Sequence, residues 1–167
     1  TIIDHMRMFG RKAEEDPALV DPRKVVTNSL NLMGEQLRLA GIELVTELAE
    51  DCPFVLGHTI QLEQVLLNLL TNARDAIAEN DREAKITLRV FEDDKHIHIT
   101  SEDTGGGIPD DVLYRIFEPF YTTKEMGKGT GLGLSVSYGI VRDMCGTIIA
   151  ENIGYGARFT ITLPIAS

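Results

Sequence analysis

The sequence predicts an α/β (α+β) two-layer sandwich, in which a mixed, mostly antiparallel sheet of about five strands is covered on one face by three helices, with a flexible glycine-rich segment beside them. Three observations carry that expectation. Residues 22–40, 59–79 and 134–144 each repeat apolar side chains at helical spacing. Residues 85–92 and 95–101 alternate apolar and polar side chains around Asp93-Asp94, a hairpin signal. A second hairpin joins 147–152 to 157–163 through Gly154-Tyr155-Gly156. With 167 residues the chain suits one domain with a core of its own.

Composition narrows the function. An apolar fraction of 43% is that of an ordinary soluble globule, and neither a bilayer-spanning apolar run nor a signal-like start occurs. A cytoplasmic location without membrane contact is expected. The net charge of −10 argues against a nucleic-acid surface, and a polyanionic ligand has to be held by local donors against the overall field. Cys52 and Cys145 lack metal-site spacing and are too few for a disulfide framework, so reduced thiols are expected. His96 and His98 share a strand face but have no further metal-ligating partner nearby in sequence.

Taken in order, residues 1–14 place Ile2, Ile3, Met6 and Phe9 at helical spacing; they either fold back on the domain or are the cut end of a longer helix. Glu14-Glu15-Asp16-Pro17 breaks that pattern as a short linker. Asp21-Pro22 starts the next helix, with aspartate as N-cap and proline in the first turn. It carries Val25, Val26, Leu30, Met33 and Leu37 inward and stops at Gly41. Residues 42–48 read as a strand, and Phe54-Val55-Leu56 as a second short one closed by Gly57.

The helix over 59–79 is the stretch that the chain is organised around. At roughly 100° per residue, Leu62, Val65, Leu66, Leu69, Leu70, Ala73, Ala76 and Ile77 fall on one arc, and Gln64, Asn68, Asn72 and Asp75 on another. Asn72 sits about 20° beyond the apolar arc, with Asn68 one turn before it and about 40° further round. Asparagine is a mediocre helix former and costly to desolvate, so two of them at a core boundary ask for a partner. A hydrated Mg²⁺, which takes oxygen ligands and keeps several waters, is a fitting one. The competing arrangement leaves both amides facing water.

Beyond the first hairpin the strand runs into Glu102-Asp103-Thr104-Gly105-Gly106-Gly107-Ile108-Pro109. A carboxylate followed by three glycines sets an acceptor beside backbone that a ligand can approach closely; a plain flexible loop is the alternative. Pro109 opens a short helix to about Arg115, followed by Ile116-Phe117-Glu118-Pro119-Phe120-Tyr121-Thr122-Thr123-Lys124. Residues 125–133, Glu-Met-Gly-Lys-Gly-Thr-Gly-Leu-Gly, lead into the helix over 134–144, whose Val136, Ile140, Val141 and Met144 form one face. Amides exposed by glycines at a helix N-terminus make an anion site, adjacent lysines favour phosphate, and mobility suits a lid. Gly146 ends that helix. The glycines match neither G-x-x-x-x-G-K-[ST] nor G-x-G-x-x-G, and no serine or cysteine stands in a nucleophile elbow or triad setting.

In this order the pieces resemble the ATP-binding catalytic domain of bacterial two-component sensor histidine kinases, a fold shared with the gyrase, heat-shock chaperone and mismatch-repair ATPases. Asn68-Leu69-Leu70-Thr71-Asn72-Ala73 looks like the N box, and Asp103-Thr104-Gly105-Gly106-Gly107-Ile108-Pro109 like the first glycine box. Phe117-Glu118-Pro119-Phe120-Tyr121 looks like the F box, and Gly129-Thr130-Gly131-Leu132-Gly133-Leu134 like the second glycine box. The likeness covers about residues 20–165, ending on Phe159-Thr160-Ile161-Thr162-Leu163-Pro164, and residues 1–14 look like the tail of the second helix of a dimerisation and phosphoacceptor domain. It implies two units: 1–16, that tail and a linker, and 17–167, the catalytic domain.

The resemblance implies that Asp103 accepts a hydrogen bond from the adenine amino group, with Gly105 and Gly107 letting the base lie close and Ile108 among the nucleotide-binding residues. It implies that Asn72 holds Mg²⁺ bridging the phosphates, with Asn68 supporting it. Tyr121, Lys124, Lys128 and the run Gly129, Thr130, Gly131, Leu132 and Gly133 would line or close over the nucleotide as an ATP lid, and Arg115 would reach the γ-phosphate. Asn68, Lys124 and Arg115 are the residues expected to act in transfer, which is mainly positioning and charge neutralisation. Relatives that hydrolyse ATP use a glutamate where Asn68 stands, and an amide cannot take that proton.

Mg-ATP is thus the expected cofactor, and the expected reaction is transfer of the γ-phosphoryl group to a histidine on a dimerisation domain of the same parent protein, for relay to a response regulator. His5, His58, His96 and His98 lack the acceptor context, so the acceptor is expected outside this chain. A regulatory nucleotide-binding module without transfer, and a serine kinase of the anti-sigma type, are the alternatives. Two positions depart from many relatives: His58, where an aspartate is usual before the N-box helix, and Ala157, where a threonine hydroxyl helps the adenine site through water.

Overall fold

A computed structural model describes residues 16–78, 83–113, 115–118 and 133–166. Strand β1 (Ala18–Val20) leads into helix α1 (Pro22–Leu39), where the Asp21 carboxylate accepts from Arg23 N at 3.0 Å as the N-cap and Pro22 needs no N–H partner. Strands β2 (Glu43–Leu48) and β3 (Val55–Gly57) precede helix α2 (Thr59–Ala78). Strands β4 (Lys85–Glu92) and β5 (His96–Asp103), the one-turn helix α3 (Asp110–Leu113), helix α4 (Gly133–Asp143), and strands β6 (Thr147–Asn152) and β7 (Ala157–Pro164) complete the described order.

Five strands form one sheet in the order β2-β4-β5-β7-β6, parallel between β2 and β4 and antiparallel elsewhere. Helix α1 packs over β2, α2 over the central β5 and α4 over β6, with α2 between the other two. The expected sandwich is therefore present. One addition is β1, which pairs antiparallel with β3 through Ala18↔Gly57 and Val20↔Val55 and shifts the expected 54–56 strand by one residue. Helix α3 covers Asp110–Leu113, and Arg115, the expected end, lies in a turn.

The core lies between helices and sheet. Leu62, Val65, Leu66, Leu69, Leu70 and Ala73 of α2 are buried against Ile97 and Ile99 of β5 and their neighbours Leu88 and Ile161. Each large aliphatic side chain buried this way contributes roughly 1.5–3 kcal/mol. Period-two alternation sends the intervening residues to the opposite face. There one charged residue from each strand joins a chain of ion pairs: Glu47 (β2) to Arg89 (β4), Arg89 to Glu102 (β5), Glu102 to Arg158 (β7) at 3.3 Å, and Arg158 to Glu151 (β6) at 3.2 Å. Glu102 is only 4% exposed, and the Tyr155 hydroxyl donates to its other oxygen at 3.2 Å. A cavity of about 340 Å³ opens beside it, lined by Lys85, Thr87, Arg89 and Tyr155 among others.

At the β4–β5 turn the Asp93 carboxylate accepts from Lys95 N and His96 N and bonds His98 Nε2 at 2.7 Å. These contacts, the His98 bond first, hold its pKa below the usual aspartate range. His98 is thus engaged with Asp93 and, at 3.1 Å, with Thr162. Among the described residues no group of three or more His, Cys, Asp or Glu side chains is placed to hold a metal ion, and no helix is long and apolar enough to cross a membrane.

Candidate functional site

Asp103 ends β5 on the helix-covered face and is 4% exposed. Burial pushes its pKa up from the ordinary 3.8, while the amides of Gly105, at 2.8 Å, and Ala157 pull against that shift by donating to the carboxylate. A buried acid kept beside two donors is positioned to accept a further hydrogen bond. The surroundings leave room for backbone only. A Cβ on Gly105 would lie 2.6 Å from Ala76 Cβ and 2.9 Å from Asp103 Oδ1, and one on Gly156 would lie 1.7 Å from the Asp103 carbonyl oxygen. Gly107 adopts φ +92°, a region that side chains disfavour.

The glycine loop after Asp103 is held from the β6–β7 turn. Gly106 N donates to Tyr155 O at 3.3 Å. Ile108 N donates to Asn152 Oδ1 at 2.6 Å while Asn152 Nδ2 donates to Ile108 O at 2.7 Å, a reciprocal pair between side chain and backbone. Sequence reasoning missed Asn152, which lies 44 residues from its partner and carries no motif.

Helix α2 runs along the site. Ala76 meets Gly105 at one end, half-buried Asn72 stands one turn earlier, and half-buried Asn68 stands one turn before that. At 1.5 Å per residue, Asn68 and Ala76 are about 12 Å apart along the axis. Asn68 Nδ2 donates to Gly133 O at 2.9 Å and Ser137 Oγ at 3.0 Å, and its Oδ1 accepts from Gln64 at 2.9 Å. The Gly133 carbonyl can only accept, so the amide nitrogen must face α4 and the oxygen must face Gln64. Asn68 therefore ties α2 to the first turn of α4. Fully buried Ser137 donates to the same carbonyl at 2.8 Å. It was also missed, although a hydroxyl three and four residues before Ile140 and Val141, on their apolar arc, is a readable signal.

Phe117 packs edge-on against Phe159 at 6.3 Å and near Tyr138 at 5.7 Å, which anchors the start of the expected F box. Arg115 pairs with Glu118 at 3.2 Å, both more than half exposed (58% and 51%). Tyr121, Lys124, Lys128, Gly129, Thr130, Gly131 and Leu132 lie outside the described residues, as do residues 1–15 with the expected helix tail. The His58 carbonyl accepts from Leu62 N at 3.1 Å, at the start of α2.

The described residues therefore bring together Asp103, Gly105, Gly107 and Ile108 at one end and Asn68, Asn72 and Gly133 at the other. The first end offers a buried acceptor over a glycine floor. The second offers carboxamides beside the N-terminus of an 11-residue helix, where amides and dipole favour negative charge. A ligand with a flat hydrogen-bonding group at one end and an anionic group at the other matches both.

Residues 57–167 match the family described as histidine kinase-, DNA gyrase B-, and HSP90-like ATPase. The two-component sensor PprA of Pseudomonas aeruginosa is 41% identical over 170 residues, covering 99% of this chain and 18% of PprA. The chain thus spans under a fifth of that relative's length. Among solved structures, the catalytic domain of histidine kinase ThkA in a nucleotide-free form superposes with a TM-score of 0.80 at 28% identity, covering 90% of this chain and 97% of that one. Full-length ShkA in complex with AMPPNP gives 0.77 at 29% identity, covering 90% of this chain and 31% of that one.

Proposed function

The chain belongs to the histidine kinase-, DNA gyrase B- and HSP90-like ATPases, and from that premise we propose that it binds Mg-ATP and donates the γ-phosphoryl group to a histidine on a dimerisation domain of its parent protein, for relay to a response regulator. The observation that carries this reading is the buried Asp103 carboxylate over a floor where Cβ atoms on Gly105 and Gly156 would collide with Asp103 or Ala76. That cradle suits a planar base presenting an amino group. The AMPPNP bound by the similar ShkA supports the same ligand class.

Asn72 would supply a neutral oxygen, the donor type that Mg²⁺ accepts when phosphates and water complete its shell, and Asn68, whose oxygen accepts from Gln64 and whose nitrogen holds α4, would support it from one turn away. Bound there, the ion would neutralise phosphate charge. This chain's own part is to orient: Asp103 fixes the base, α2 holds the two amides on one line, and the α4 N-terminus with Lys124 and Lys128 stabilises the phosphates, with Arg115 at the γ end. An amide at position 68 cannot take a proton from water, which favours transfer over hydrolysis. The expected setting is the cytoplasm, where ATP is available.

The test is incubation of the 167-residue chain with γ-labelled ATP and a separately made dimerisation domain from a related sensor kinase. Acid-labile label on the acceptor histidine, abolished by Asp103→Ala, is the expected result. Nucleotide binding without transfer points to a regulatory module, and acid-stable label on a seryl partner points to a serine kinase. Either outcome overturns the assignment.

A further inference from the structure

Three contacts converge on the backbone between Asp103 and Ile108, a fourth reaches the adjoining Glu102 side chain, and all four come from one short stretch, residues 152–156. Asn152 makes the reciprocal pair with Ile108 at 2.6 and 2.7 Å. Tyr155 O receives Gly106 N at 3.3 Å, and the Tyr155 hydroxyl bonds Glu102 at 3.2 Å. Gly156 lies on the Asp103 backbone with no room for a Cβ. The stretch is itself closed by Ile153 N donating to Gly156 O at 3.0 Å. Asn152 is the member of this group that acts through a side chain on the glycine loop itself. Its oxygen also stands 2.9 Å from where a Cβ on Gly107 would be, so it covers the residue at φ +92°.

We infer that Asn152 is a positioning residue for base recognition: its carboxamide clamps both backbone groups of Ile108 and so fixes the height of the glycine loop over the Asp103 carboxylate. The inference rests on the adenine reading of Asp103 given above. The carboxamide presents an acceptor for the Ile108 N–H and, on a separate atom, a donor for the Ile108 carbonyl. Alanine does neither. Aspartate keeps the acceptor but sets a negative oxygen against the Ile108 carbonyl, so it should be worse than alanine. Asn152 is exposed, and the core does not depend on it.

The experiment titrates the 167-residue chain and its Asn152→Ala and Asn152→Asp variants with Mg-ADP and with Mg-GDP. For Asn152→Ala, ADP affinity is expected to fall about ten-fold, the worth of the two lost hydrogen bonds. Asn152→Asp should lose more, and the preference for ADP over GDP should shrink in both, because a loosened loop no longer holds the base against one acceptor. An unchanged ADP affinity in both variants overturns the inference, and so does a loss shared equally by GDP. Exchange of the Ile108 amide, faster in the variants if the clamp exists, reads the same contact without ligand. Asp103→Ala serves as the separate control: if it binds ADP like the parent chain, the adenine reading itself fails. If it loses ADP while Asn152→Ala does not, only the Asn152 inference fails.

Discussion

Asp103 sets two opposing requirements on one side chain. Burial raises its pKa, so the folded chain holds that proton more tightly than the unfolded chain does. Between the ordinary 3.8 and the raised folded value, this group alone makes the fold more stable as pH falls. The ionised carboxylate is the stronger acceptor for an adenine amino group, so affinity runs the other way. Acidification through that window should weaken ADP binding while the far-UV circular dichroism stays constant, and Asp103→Asn should bind weakly with a flatter pH profile. A parent profile as flat as that of the variant would count against Asp103 as the base acceptor. This acid could be picked out from the sequence because the strand and the glycines beside it are local. Its neighbour Glu102 could be seen only as a strand-end acid, since its partners Arg89 and Arg158 lie 13 and 56 residues away.

At the level of elements, the sheet carries its charges as a connected series with Glu102 at the centre. Removing that carboxylate by Glu102→Ala breaks the series at its centre, leaving Arg89 with Glu47 and Arg158 with Glu151, and takes the acceptor from the Tyr155 hydroxyl. Arg89 and Arg158 are 38% and 35% exposed and can relax into water, so the cost falls below the about 3–5 kcal/mol of a fully buried pair. A loss of about 1–3 kcal/mol is expected in urea unfolding; an unchanged midpoint would show that the series adds nothing to stability. Helices were the most legible elements, because α1, α2 and α4 each repeat their apolar residues over three or more turns. Strand β1 escaped notice because three residues, Ala18–Val20, carry no period, and it exists through its pairing with β3. Ser137 shows the same limit from the other side: its hydroxyl belongs to an apolar arc, and only the packing of α4 on α2 explains it.

For the molecule as a whole, the two-layer architecture and the five strands of the main sheet were legible, but strand order was not. Nothing local in residues 43–48 says that they lie parallel to β4, because parallel partners share no turn that would fix their register. The two ends of the site, the Asp103 loop and the Asn68–Gly133 contact, are likewise remote in sequence; motif resemblance joined them and helix α2 spans them.

The parallel pairing of β2 with β4 bears on how this domain can be cut. The stretch that matches the ATPase family begins at residue 57, yet Glu43 through Leu48 hydrogen-bond along β4 from Lys85 to Val90, and α1 shields one flank of α2. A polypeptide trimmed to the similarity boundary would bare a ready-made template for intermolecular strand addition together with an oily helix flank. Such a truncation should elute from gel filtration as soluble aggregate where the 167-residue chain does not, and a well-behaved trimmed monomer would mean that the first third of the sequence is dispensable.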